Sequence, residues 1–226
     1  MGLTLEQVVP WGRSLEEYIE MFDLIPTDRP RHTLDCAGGP ASFNAEMTSS
    51  GHSVISCDPI YQFSVADIEQ RIQDTWAILK DKVTAHQNDY IWNRFASPEA
   101  LGATRLESMR KFLQDFPEGL KAGRYAAHEL PVLPFQESQF DLALCSHFLL
   151  TYSDHLSEQF HLDSVQELCR VAAEVRIFPL LKVSGEPSPY LPAVIAQMQR
   201  LGYKAEVKPV PYEFQKGANQ MLKICR

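Results

Sequence analysis

Two carboxylates, Asp35 and Asp58, each close a short apolar run, and two adjacent glycines, Gly38 and Gly39, follow the first of them. Thr33-Leu34-Asp35-Cys36 reads as a strand, Ala37-Gly38-Gly39-Pro40 as a tight turn and Ala41-Ser42-Phe43 as a helix start. Glycines at such a turn let a ligand approach the backbone where a Cβ would otherwise stand. The helix start adds free N–H groups beside it. An acid ending the next apolar run, about 20 residues on, completes the layout of a nucleoside-binding α/β unit, in which a carboxylate takes hydrogen bonds from ribose. Glu129 and the pair Ser146-His147 close two later apolar runs. His147 is the residue whose ring can exchange a proton near neutral pH, with the phenols of Tyr152 and Tyr212 behind it. Arg13 and Tyr18, near the N-terminus, could reach an anionic ligand group.

These residues need elements to hold them. Ser14-Leu15-Glu16-Glu17 has the form of a capping box, and Leu15, Tyr18, Ile19 and Phe22 follow at helical spacing. Pro26 and Pro30 end that element, which makes residues 1–30 an N-terminal helical cap. Strands are expected at about His32–Cys36, Ser53–Cys57, Arg124–Ala127, Phe140–Cys145 and Glu174–Phe178, with helices between them. Val65, Ile68, Ile72, Trp76 and Leu79 mark one helix face. Ser97-Pro98-Glu99 starts another helix, with a stripe of Leu106, Met109, Phe112, Leu113 and Phe116, closed by Pro117 and Gly119. Residues 80–123 read as a helical insertion carrying Arg94, Arg105, Arg110 and Lys111, either a solvated face or a lid. Two final strands, about Tyr203–Val207 and Met221–Ile224, have no helix between them and should pair as a hairpin. Strands alternating with helices predict a mainly parallel sheet in one domain spanning 1–226. Asp35, Asp58, Glu129 and Ser146 would then lie at its carboxyl rim, where such sheets bind ligands.

Composition narrows the setting. The 226 residues are 45% hydrophobic and 22% charged, with formal net charge −8. That balance argues for a folded chain and against gripping a polyphosphate backbone. No apolar run is long enough for a membrane-spanning helix. Met1-Gly2-Leu3-Thr4-Leu5-Glu6 lacks the parts of a signal peptide. Five cysteines without a CxxC pair read as buried thiols of a cytoplasmic protein, with no metal site.

With these elements in order, the chain from Thr33 to Arg226 resembles the class I S-adenosylmethionine-dependent methyltransferases. Their glycine-rich first motif, Asp-x-Gly-x-Gly-x-Gly, stands here as Asp35-Cys36-Ala37-Gly38-Gly39-Pro40-Ala41. The middle glycine is kept as Gly39, and Ala37 and Ala41 replace the outer two. Asp58 matches the second motif. Glu129, then Leu133-Pro134-Phe135, then Phe140-Asp141 match a block common in small-molecule members, and Ser146-His147 match the fourth motif.

The resemblance implies an α/β three-layer Rossmann-like methyltransferase fold, a mainly parallel seven-stranded sheet with a terminal antiparallel hairpin. It implies S-adenosylmethionine as cofactor, held by Asp35, Ala37, Gly38, Gly39, Asp58, Pro59, Glu129, Leu130 and Ser146, with Glu129 near the adenine amino group and His147 as a candidate base. The stretch Ser146-His147-Phe148-Leu149 lacks the Asn/Asp-Pro-Pro-Tyr/Phe signature of nucleic-acid amino methyltransferases. With the net charge, this points to a small-molecule acceptor rather than nucleic acid. An RNA or protein methyltransferase, and a non-catalytic binding protein of the same fold, stay open as alternatives.

Overall fold

The computed structural model describes residues 9–226; the reading of residues 1–6 lies outside them. Six helices and seven strands are described: α1 (Leu15–Met21), β1 (Thr33–Cys36), α2 (Phe43–Ser49), β2 (Val54–Cys57), α3 (Val65–Ala85), α4 (Pro98–Lys121), β3 (Tyr125–Ala126), β4 (Phe140–Ser146), α5 (Glu158–Val171), β5 (Ala172–Phe178), α6 (Leu191–Arg200), β6 (Lys204–Pro209) and β7 (Gln220–Cys225). The strands form one sheet in the order β3-β2-β1-β4-β5-β7-β6. β1 to β5 run parallel, while β7 is antiparallel to both β5 and β6. This is the expected parallel sheet with a terminal hairpin, and its last strand is inserted beside β5.

Side-chain alternation along the strands builds the layers. In β4, Ala143 and Cys145 face a core with α5 and α6, where Val165, Leu168, Val194 and Met198 are buried. Leu142 and Leu144 face the other way, onto Tyr18, Phe22, Phe43 and Met47 of α1 and α2. α4 packs beside α2 and against β3, where Phe112 and Phe116 pack on Tyr125. Register aligns the ends of the central strands: Cys36 lies opposite Cys57 on one side and Cys145 on the other. All three thiols are buried and free. The next residue of each strand, Ala37, Asp58 or Ser146, therefore stands at the rim.

Helix starts follow their caps. Ser14 and Glu17 make both halves of the capping box. Ser64, Ser97 and Ser157 each accept from the third amide of α3, α4 and α5.

Two expectations about α4 are corrected. α4 runs on past Pro117 to Lys121. The proline lacks the amide that would bond Leu113, but Phe116 is anchored in the core. Gly119 lies so close to Tyr125 that a Cβ would come within 2.3 Å of its ring. The buried stripe of α4 is also turned: Leu106 is 36% exposed, while Arg105 and Ser108 are 2% exposed. Arg105 pairs with Glu17 and Ser108 bonds Ser42, so polar partners decide the rotation. Within the 80–123 segment, residue 80 falls inside α3, and α4 leads into β3.

Candidate functional site

A cavity of about 340 Å³ opens over the carboxyl ends of β1, β2 and β4. The turn after β1 forms its floor. Gly39 has φ +54°, and Gly38 lies so near Asp35 that a Cβ would come within 2.2 Å of its carboxylate. Ala37 itself has φ +56°, so the turn keeps a left-handed residue where the motif has glycine.

Asp58 ties this turn to β2. Its Oδ2 accepts from the Gly39 amide at 3.0 Å and its Oδ1 from the Ile60 amide at 2.9 Å. The second bond caps a short 3-10 turn at Pro59–Gln62. Two amides use two of the roughly four acceptor positions of a carboxylate, which leaves capacity for a ligand. Burial first, then the charge of Glu129, raises its pKa to about 6 despite those bonds.

Ala37, Gly38, Gly39, Asp58, Pro59, Glu129, Leu130, Ser146 and His147 all line the cavity. Asp35 is corrected. It lies behind the wall, 1% exposed, and its carboxylate accepts from Tyr18 Oη at 3.0 Å and Ser56 Oγ at 2.9 Å. Its neighbours from Cys36 to Ala41 line the cavity and it does not. Burial raises its pKa to about 7. It props the turn from below.

His147 has φ +52°, and its Nδ1 lies 2.9 Å from Ser146 Oγ. Burial, then the charges of Arg13 and Arg105, hold its pKa well below the ordinary histidine value. The ring is neutral and a weak base. The phenols of Tyr152 and Tyr212 are shifted upward by burial and stay protonated at neutral pH.

The sequence reading missed the apolar wall of Ile60, Phe63 and Phe148 and the Arg71 side chain from α3. The Arg71 guanidinium lies 3.8 Å over the Phe63 ring. No motif marks them. Behind the first cavity lies a second, of about 130 Å³. Val9, Trp11, Arg13 and His147 line both and form the partition. Gly12 seats this segment on the turn, because a Cβ there would come within 2.0 Å of the Pro40 carbonyl oxygen.

Basic residues of the 80–123 segment are paired with carboxylates. Arg94 bonds Glu20, Arg105 Glu17, Arg110 Glu107 and Lys111 Glu46. Among the described residues no His, Cys, Asp and Glu cluster is placed to hold a metal ion, and no helix is long and apolar enough to cross a membrane.

Strand order, terminal hairpin and glycine turn give this chain the fold of the class I S-adenosylmethionine-dependent methyltransferases. A solved TehB-like S-adenosylmethionine-dependent methyltransferase from Corynebacterium glutamicum aligns with 93% of this chain and 86% of its own, at 16% identity and a TM-score of 0.50. An O-methyltransferase family protein from Burkholderia thailandensis aligns with 93% of this chain and 55% of its own, at 12% identity and a TM-score of 0.50. No family model matches the chain. At the level of sequence it is 33% identical over 225 residues to the uncharacterized protein MJ0045 of Methanocaldococcus jannaschii, covering 99% of both, and it belongs to that protein's family.

Proposed function

We propose that this protein binds S-adenosylmethionine in the 340 Å³ cavity and transfers its methyl group to a small molecule. One observation carries the reading: the turn Ala37-Gly38-Gly39, left-handed at Ala37 and Gly39, and the Asp58 carboxylate face one cavity and are tied together by the Gly39 amide. The residues fit the cofactor. Gly38 and Gly39 leave the floor free of side chains, which suits the amino-acid end. Asp58 retains acceptor capacity for two ribose hydroxyls, and Ile60, Phe63 and Leu130 give an apolar wall for adenine, with Glu129 at its rim.

When bound, the cofactor supplies an activated methyl on a sulfonium, so the protein's task is holding and orientation. Orientation alone can lower a barrier by about 7–11 kcal/mol in favourable cases. Neutral His147 and partly buried Arg13 stand in the partition beside the second cavity, where an acceptor would meet the methyl. A weakly basic His147 orients an acceptor by hydrogen bonding better than it removes a proton. Ion pairing of the basic side chains around α4 supports a small acceptor over RNA.

Titration calorimetry with S-adenosylhomocysteine tests the reading. Saturable binding that Asp58→Ala weakens is the expected result. No heat up to about 1 mM ligand, where binding is worth only about 4 kcal/mol, would refute it.

A further inference from the structure

Five buried side-chain nitrogen or oxygen atoms among the described residues lack a hydrogen-bond partner, and four belong to residues lining the second cavity: Trp11 Nε1, Arg13 Nε, Arg105 Nε and Thr151 Oγ1. Three of the four can only donate. Buried polar groups are nearly always satisfied, so a concentration of spare donors around one small space calls for an acceptor-rich group within it.

Charge points the same way. Arg105 is paired with Glu17, and Tyr212 donates to the same carboxylate at 2.9 Å. Arg13 has only the Trp11 carbonyl, at 3.0 Å. Two guanidinium groups thus share one carboxylate, an excess of one positive charge at a partly desolvated place. A buried charge without a counterion is costly, and a single negative charge would balance it. The remaining walls are apolar and aromatic: Leu79, Val83, Tyr90, Leu101, Phe178 and Phe214. The space, about 130 Å³, is close to the roughly 150 Å³ that accommodates one benzene.

We infer that this inner cavity is the acceptor subsite and takes a small, one-ring or similarly compact apolar molecule bearing one carboxylate, which Arg13, Trp11 and Thr151 hold. The assignment of the cavity to the acceptor rests on the methyl-transfer reading above; the preference for a monoanion does not. A phosphate monoester would bring up to two charges to an excess of one, which favours the carboxylate.

The test is calorimetry on the full chain saturated with S-adenosylhomocysteine, using benzoate, benzyl alcohol and phenyl phosphate as probes. Benzoate should bind at least tenfold tighter than either of the others. Thr151→Val, which removes a hydroxyl outside the cofactor cavity, should weaken benzoate about threefold or more and leave S-adenosylhomocysteine unchanged. Arg13→Gln should weaken benzoate tenfold or more. Equal binding of benzoate and benzyl alcohol, or none, overturns the inference and means that water alone satisfies the donors. Phenyl phosphate binding as tightly as benzoate overturns the carboxylate assignment. An Arg13→Gln variant that loses only S-adenosylhomocysteine also overturns it, by giving the guanidinium to the cofactor. Benzoate binding without any S-adenosylhomocysteine binding would sustain the anion site and refute the methyl-transfer reading, so the two failures are distinct.

Discussion

The Asp58 carboxylate accepts the Gly39 amide at 3.0 Å, across 19 residues of sequence. One group thereby fixes the turn that forms the cavity floor and presents its free lone pairs to the cavity itself. Asp58→Ala should cost S-adenosylhomocysteine affinity twice, through lost hydroxyl contacts and a loosened turn. With hydrogen bonds to a charged group worth about 1.5–3 kcal/mol each, the expected loss is about 10- to 100-fold or more by calorimetry. An affinity within threefold of the parent would exclude Asp58 from the site.

The same carboxylate sets a pH dependence. Its pKa is raised to about 6, and only the ionised form accepts hydrogen bonds through both oxygens. Affinity should be level above pH 7 and fall below pH 6, by at most about tenfold per pH unit for a single proton. Asp58→Asn should bind weakly and show no such fall. A parent profile flat from pH 7.5 to 5 would contradict this role.

Ala37 occupies a left-handed conformation, φ +56°. An alanine there costs roughly 1–2 kcal/mol, against about 0.4–1 kcal/mol that a glycine loses through the freer unfolded chain. Ala37→Gly should therefore stabilise the protein by a few tenths to about 1 kcal/mol in urea denaturation, with the cavity intact. A clear loss of stability would show that the methyl group packs usefully.

Much of this site was legible because it is local. The spacing from Asp35 to Gly39, and the acid ending β2, follow from strand length and turn chemistry. Register then brings Ala37, Asp58 and Ser146 to one rim. What was not legible depends on distant partners. Nothing near Arg105 announces that Glu17, 88 residues away, will bury it, although its place among Leu101, Met109, Phe112 and Phe116 at helical spacing is the trace it leaves. Asp35 looked like a ligand residue because its type and place fit. Only the three-dimensional positions of Tyr18 and Ser56 show that its carboxylate is enclosed behind the cavity floor, under Gly38.

Asp35 also gives stability a pH dependence of definite sign. Burial raises its pKa to about 7 from 3.8. The folded state then binds the proton more tightly than the unfolded chain, so its contribution is complete below about pH 4 and is lost as pH rises through about 7. His147, held low in the fold, works oppositely below its unfolded pKa of about 6.5, and Asp58 titrates mainly below 7. Of the three, Asp35 changes stability most, offset in part by His147, across the window from pH 6.5 to 8.5. The urea midpoint should drop across it, and Asp35→Asn should flatten the drop. A parent midpoint that rises with pH in this window would show that Asp35 is ionised throughout.

The buried ion pair of Glu17 and Arg105 joins α1 to α4, with Tyr212 donating to the same carboxylate. Arg105 holds the Glu17 carboxyl below its ordinary pKa against the opposing effect of burial. Removing one member leaves the other charged in a poorly solvated place, which typically costs about 3–5 kcal/mol. Glu17→Ala should therefore destabilise the protein by that much in urea denaturation, since it leaves Arg13 and Arg105 facing each other without a counterion. Replacing both partners with apolar residues, Glu17→Leu with Arg105→Met, removes the unpaired charge and should recover more than half of the loss. If the double variant proves as unstable as Glu17→Ala, the cost lies in packing or in the lost Tyr212 bond rather than in charge. The double variant should keep the carboxylate preference of the inner cavity, because Arg13 still supplies its one excess positive charge.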